Sequence, residues 1–157
     1  MVWIVQRASR VKGPGGRDIG IADFPNFDRF LQGLNRVTSQ PRIWTAFKKW
    51  SGLSNAQALM SVSYGSAPAI DFLPLSSVDY GGFEEAYAHR IWIRIDKVRS
   101  YENRQEASVG RYLQMLVLHE MVHWGRHLVH LPDSVHGAYV DNGDKFENEA
   151  YDDPNNP

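Results

Sequence analysis

The chain has 157 residues, a formal net charge of -1 and 43% hydrophobic residues, which is enough for one domain with a single core and leaves little room for two. It contains no cysteine, so disulfides, thiolate catalysis and cysteine-held zinc are excluded, and a metal site would have to be built from His, Asp and Glu. A balance of 17 Lys and Arg against 18 Asp and Glu, with no basic cluster, argues against nucleic acid or an anionic membrane surface as partner.

No apolar run reaches the length of a membrane span, and the first residues lack the pattern of a signal peptide. Export would therefore follow a signal-peptide-independent route; otherwise the location is cytoplasmic. The Gly- and Arg-rich stretch 10–17 reads as linker. Residues 1–20 are accordingly expected to be a flexible N-terminal segment and residues 21–157 the folded domain.

Apolar residues at Phe27, Phe30, Leu31 and Leu34 follow i, i+3, i+4, i+7 spacing and predict a helix over 25–34. A second helix is expected from Pro41, with Ile43, Phe47 and Trp50 on its face and Ser51-Gly52 as its stop. Residues 60–64 alternate weakly and read as a strand, and 70–73 as another. The clearest strand is 91–95, with Ile91, Ile93 and Ile95 inward and Trp92 and Arg94 outward. One long helical pattern covers 105–127, apolar all round at 115–118, so its centre is expected to be buried. A loop over 131–143 and a short helix over about 144–153 complete the chain. The fold class expected is α+β, with a small antiparallel or mixed sheet beside a buried helix.

That buried helix carries the chemistry. His119 and His123 are four residues apart, so they lie one turn apart on one face and can share a zinc ion at about 2.0–2.1 Å each. Glu120 leans toward the same side and suits a general base acting on a water that the ion makes acidic. Placing His, Glu and His in an apolar helix is costly without such a partner. A catalytic zinc takes a third protein ligand and keeps one open position. Downstream candidates are His127, His130, Asp133, His136, Asp141, Glu147 and Glu149.

On a wheel of about 100° per residue, Phe146, Ala150 and Tyr151 span an arc of about 140°. Glu147 falls inside that apolar arc and Glu149 outside it. Glu147 is thus the first choice for the third ligand and Glu149 the rival. With Glu149 as ligand, Asp153 would lie where an acid can orient a liganding histidine. Tyr139, Tyr151 and His136 are candidates to hydrogen-bond a developing oxyanion. Arg126 is expected to pair with Asp141 or Asp144 and brace the loop, and Trp124 to pack.

The segments His-Glu-Met-Val-His-Trp-Gly-Arg (119–126) and Phe-Glu-Asn-Glu-Ala-Tyr (146–151) resemble the zincin metallopeptidase domains of bacterial polymorphic toxins, including effectors attached to type VI secretion components. The resemblance covers about 35 residues, 119–153, and Asp152 stands where the pattern often has Gly. It implies a zincin-like fold, a zinc cofactor held by His119, His123 and a Glu of the last helix, and Glu120 as base. It further implies a protein substrate and a cognate immunity protein in the producing cell. In zincins an edge strand before the active-site helix pairs with extended substrate, and 91–95 would be that strand here. Two other classes fit the same residues. One is a zinc-binding interaction module without catalysis, against which the intact Glu120 counts. The other is an adaptor domain in which the motif is accidental.

Overall fold

The computed structural model describes residues 11–12, 17–135, 138–139 and 141–151. Most of the expected linker lies outside these, although its Val11 and Ile19 are buried. Helix α1 (Pro25–Gln32) begins on a proline, whose missing N–H costs nothing in the first turn, and buries Phe27 and Leu31. Its preceding residue, Phe24, has no side-chain acceptor for the free N–H groups of that turn. The Glu102 carboxylate takes their place, accepting from the Asn26 and Phe27 amides at 3.0–3.2 Å. Helix α2 (Pro41–Ser51) buries Ile43, Trp44, Ala46 and Phe47 and ends at Gly52, which adopts the left-handed conformation.

Residues 60–64 do not form the strand expected of them. Ser54 accepts from the Gln57 amide and Gln57 reaches back to Ser54, so a capping box starts helix α3 (Asn55–Ser61) there. Local side-chain capping outweighs a weak two-residue alternation.

Strands β1 (Ala69–Leu73), β2 (Gly81–Gly82) and β3 (Arg90–Arg94) make a mixed sheet in the order β1-β3-β2. β1 runs parallel to β3, from Ala69 opposite Arg90 to Leu73 opposite Arg94, and β2 runs antiparallel, with Gly81 opposite Ile93. This corrects the expectation for 91–95 in three respects. β3 is the central strand, and the edge beside the long helix is β2. Trp92 is only 2% exposed, because a central strand covered on both faces buries its alternate residues as well. Ile95 has left the strand and opens helix α4 (Ile95–Arg104), an element whose polar surface hides its periodicity.

Helix α5 (Ala107–Leu128) is the 22-residue helix that the apolar run announces, and residues 115–118 are buried on every side. Two-residue strands β4 (Ser134–Val135) and β5 (Ala138–Tyr139) pair with each other, and helix α6 (Asn142–Tyr151) closes the described chain. The core joins sheet and helices through aromatic contacts. The Phe24 and Phe72 rings meet edge-on at 5.3 Å, and Phe47 of α2 meets Phe146 of α6 at 6.3 Å. That second contact fixes α6, and the acids it carries, against α2, while Tyr151 of α6 donates to Gln114 of α5, the helix bearing the two histidines. The architecture is α+β. No helix among the described residues is long and apolar enough to cross a membrane.

Candidate functional site

α5 presents His119 and His123 to an open cleft of about 700 Å³. Their Nε2 atoms are 3.3 Å apart, and each ring is turned by a carboxylate behind it. His119 Nδ1 donates to Glu147 Oε1 at 2.7 Å, and His123 Nδ1 donates to Asp133 Oδ2 at 3.2 Å. With both Nδ1 atoms committed, both Nε2 atoms face the same point. Asp141 Oδ1 faces it too, 3.3 Å from His123 Nε2 and 3.6 Å from His119 Nε2. Asp141 is held there because it caps α6, accepting from the Asp144 amide at 2.9 Å.

Arg126 anchors the outer end of this network. It donates to Asp133 Oδ1 at 2.8 Å, to the Trp50 carbonyl at 3.1 Å and to the Pro132 carbonyl, and Asn142 donates to the same Asp133 oxygen at 2.9 Å. The expected partner of Arg126, Asp141 or Asp144, is therefore corrected to Asp133, while the bracing of the loop stands. Trp124 packs as expected, buried and donating to the Ala88 carbonyl at 3.0 Å.

Glu120 lies in the floor of the cleft, 5% exposed, with no hydrogen bond to any described residue. Burial is the main reason its pKa rises to about 7, against the opposing pull of His119 and His123. Burial also disfavours a charged His119, but Glu147, Glu120 and Asp141 together outweigh it and push that pKa up to about 9. Asp141 is held far below the ordinary carboxylate range: burial opposes ionisation, and the His123 and Asp144 hydrogen bonds overcome it. The surroundings thus favour positive charge at the point where the two imidazoles meet.

Two glycines make the arrangement possible by close approach. A Cβ on Gly81, in edge strand β2, would stand 2.3 Å from Glu120 Oε1. A Cβ on Gly143, in the first turn of α6, would stand 2.4 Å from His119 Nε2. Backbone can lie against both functional groups only because neither position carries a side chain.

Comparison with protein-family models matches residues 21–152 to the family described as metallopeptidase toxin 3. The chain belongs to that family. No curated protein and no solved structure matches it. It is a metallopeptidase toxin domain, and a metallopeptidase implies a metal.

The residues of this metallopeptidase toxin domain fit one. Donor atoms of His119, His123 and Asp141 all lie within 4.8 Å of one another, two imidazole nitrogens and a carboxylate oxygen. A second such group, His119, Asp144 and Glu147, shares His119, but Glu147 is already bonded to His119 Nδ1 and Asp144 is exposed.

The other candidates are dispersed. Glu149 points toward α2, where Lys49 donates to it at 2.6 Å and Trp50 Nε1 at 2.8 Å. Tyr151 is buried and donates to Gln114 at 3.0 Å, and it does not line the cleft. His127 lines the cleft against the Phe83 ring, and His130 is exposed in the turn after α5. His136, Asp153 and the Tyr139 side chain lie outside the described residues.

Asp141, one of the downstream candidates, stands just before α6, which begins at 142 rather than at about 144. The signal was present: Asp141-Asn142-Gly143-Asp144 is a helix start with an acid in the capping position.

Proposed function

We propose that this domain hydrolyses peptide bonds in a target protein using a single zinc ion held by His119, His123 and Asp141. The observation that carries the reading is the meeting of two Nε2 atoms and Asp141 Oδ1 beside Glu120, a buried carboxylate with no hydrogen bond to any described residue. Zinc is favoured among divalent ions by the donor set, since two imidazoles and one carboxylate suit it better than they suit magnesium or calcium. When bound, the ion supplies Lewis acidity, acidifying a water molecule and polarising the scissile carbonyl.

The chain's own residues do the remaining work. Glu120 takes the proton of the attacking water and delivers it to the leaving nitrogen. Glu147 and Asp133 hold the rings of His119 and His123, so Glu147 serves as the orienting acid rather than as the third ligand. Arg126 keeps Asp133 in place through three acceptors. The cleft floor, formed by α5 and the backbone of β2, shields Glu120 from bulk solvent.

The resemblance of 119–126 and 146–151 to secreted effector domains supports a role in a competing bacterium or a host cell. The producing cell would carry a cognate immunity protein. The purified domain is expected to hold zinc and to cleave a protein substrate. Dialysis against a chelator should abolish cleavage, and added zinc should restore it, followed by metal analysis and peptide mapping together. Cleavage that persists undiminished after the metal has been stripped would overturn the mechanism.

A further inference from the structure

The walls of the cleft carry Asp79, Glu85, Asp133, Asp141, Asp144 and Glu147, and among the described residues no lysine or arginine lines it. The whole chain has a formal net charge of only -1, so this concentration of acid is local. Three of the six are committed. Asp141 faces the imidazole nitrogens, Glu147 is bonded to His119, and Asp133 to His123 and Arg126. Asp79, Glu85 and Asp144 are exposed; among the described residues His127 lies 3.9 Å from Glu85, and Asp144 stands within 4.8 Å of His119 and Glu147.

Two basic side chains lie over tyrosine rings of the cleft wall without lining the cleft themselves. Arg94 is paired with Asp96 and stacked on Tyr80 at 4.3 Å, and Lys97 lies 4.0 Å over the same ring. Besides the rim acids, the buried Glu120 carboxylate lines the same cavity and makes no hydrogen bond with any described residue. Apolar wall is also present in Phe83, Met115, Leu116 and Leu131. A long aliphatic stem ending in a positive charge matches both parts of that surface.

We propose that the cleft selects polypeptide segments bearing lysine or arginine, which names the substrate class of the hydrolysis proposed above and rests on that reading of the site. Asp79 and Glu85 flank edge strand β2 in the sequence, and both line the cleft that holds Glu120. Acids lining a cleft with low-dielectric walls focus their field, so the preference should be expressed in encounter and binding and should weaken with salt.

The test uses three peptides of one length, carrying lysine, glutamine or glutamate at the same positions. Binding is read by fluorescence anisotropy on zinc-loaded Glu120→Gln protein at low and high salt, and cleavage is read on the parent. The lysine peptide is expected to bind at least about tenfold tighter than the glutamate peptide, with the gap narrowing as salt rises. The double variant Asp79→Asn, Glu85→Gln is expected to cut that ratio about fivefold. Equal binding of all three peptides, or a ratio untouched by the double variant, overturns the inference. Preferential binding of the lysine peptide without cleavage of any peptide by the parent would leave the selectivity standing and sink the hydrolytic reading instead.

Discussion

Glutamine in place of Glu120 is expected to leave the domain folded and zinc-loaded while lowering kcat/KM for peptide cleavage by about a hundredfold to ten-thousandfold, the range a positioned general base supplies. The substitution keeps side-chain volume, so no cavity opens in the cleft floor. Nor does it break a hydrogen bond, because the Glu120 carboxylate makes none with any described residue. What it removes is a buried group whose ionisation burial opposes. Thermal stability should therefore hold or rise while turnover collapses. A structural role for Glu120 predicts the reverse, a lower melting temperature with catalysis lost in proportion to unfolding. Melting curves, zinc content and initial rates on the same preparation separate the two. Parent-like rates in the variant would remove Glu120 from the chemistry.

The helices that bury a strong apolar stripe were readable directly, because burial and 3.6-residue periodicity are the same constraint seen twice. α1, α2 and α5 are of this kind. α3 and α4 were not, and for different reasons. α3 is set by its Ser54–Gln57 capping box, a signal that an apolar pattern does not contain. α4 buries only Ile95 and Val98 in ten residues, so its stripe is too thin to see, and Ile95 completes the alternation of the strand before it. Trp92 stands on the face opposite Ile91 and Ile93, as alternation requires, but that face is covered too, and alternation does not say whether the second face is buried. Within the cleft, the pair His119 and His123 and the acid behind His119 follow from helical geometry along α5 and α6. The position of Asp141 depends on where α6 starts, and helix ends are where pattern reading is least sharp. Gly81 and Gly143 carried no signal, since their importance lies in what stands opposite them in space.

Those two glycines offer the means to disturb one part of the site at a time. Alanine at Gly143 is expected to weaken zinc binding by about five- to a hundred-and-fifty-fold, the equivalent of the 1–3 kcal/mol that overpacking typically costs. The added methyl would sit 2.4–2.5 Å from His119 Nε2, Cδ2 and Cε1, so the ring must turn away. Turning it breaks the 2.7 Å bond from Nδ1 to Glu147 and moves Nε2 off the point it shares with His123 and Asp141. Helix propensity works the other way, since alanine is favoured over glycine by about 1 kcal/mol within a helix, so α6 itself should not be lost. Alanine at Gly81 makes the complementary lesion. Its methyl would meet Glu120 Oε1 at 2.3 Å and the carboxylate carbon at 2.8 Å, displacing the base while leaving the imidazoles alone. The Gly143 variant should need more zinc to reach its full rate, and the Gly81 variant should hold zinc normally and stay slow at saturation. Zinc titrations against a competing chelator, with circular dichroism to confirm the fold, distinguish these outcomes. Parent-like zinc affinity in the Gly143 variant would mean that His119 Nε2 does not face the ion, and the ligand set of His119, His123 and Asp141 would fall with it.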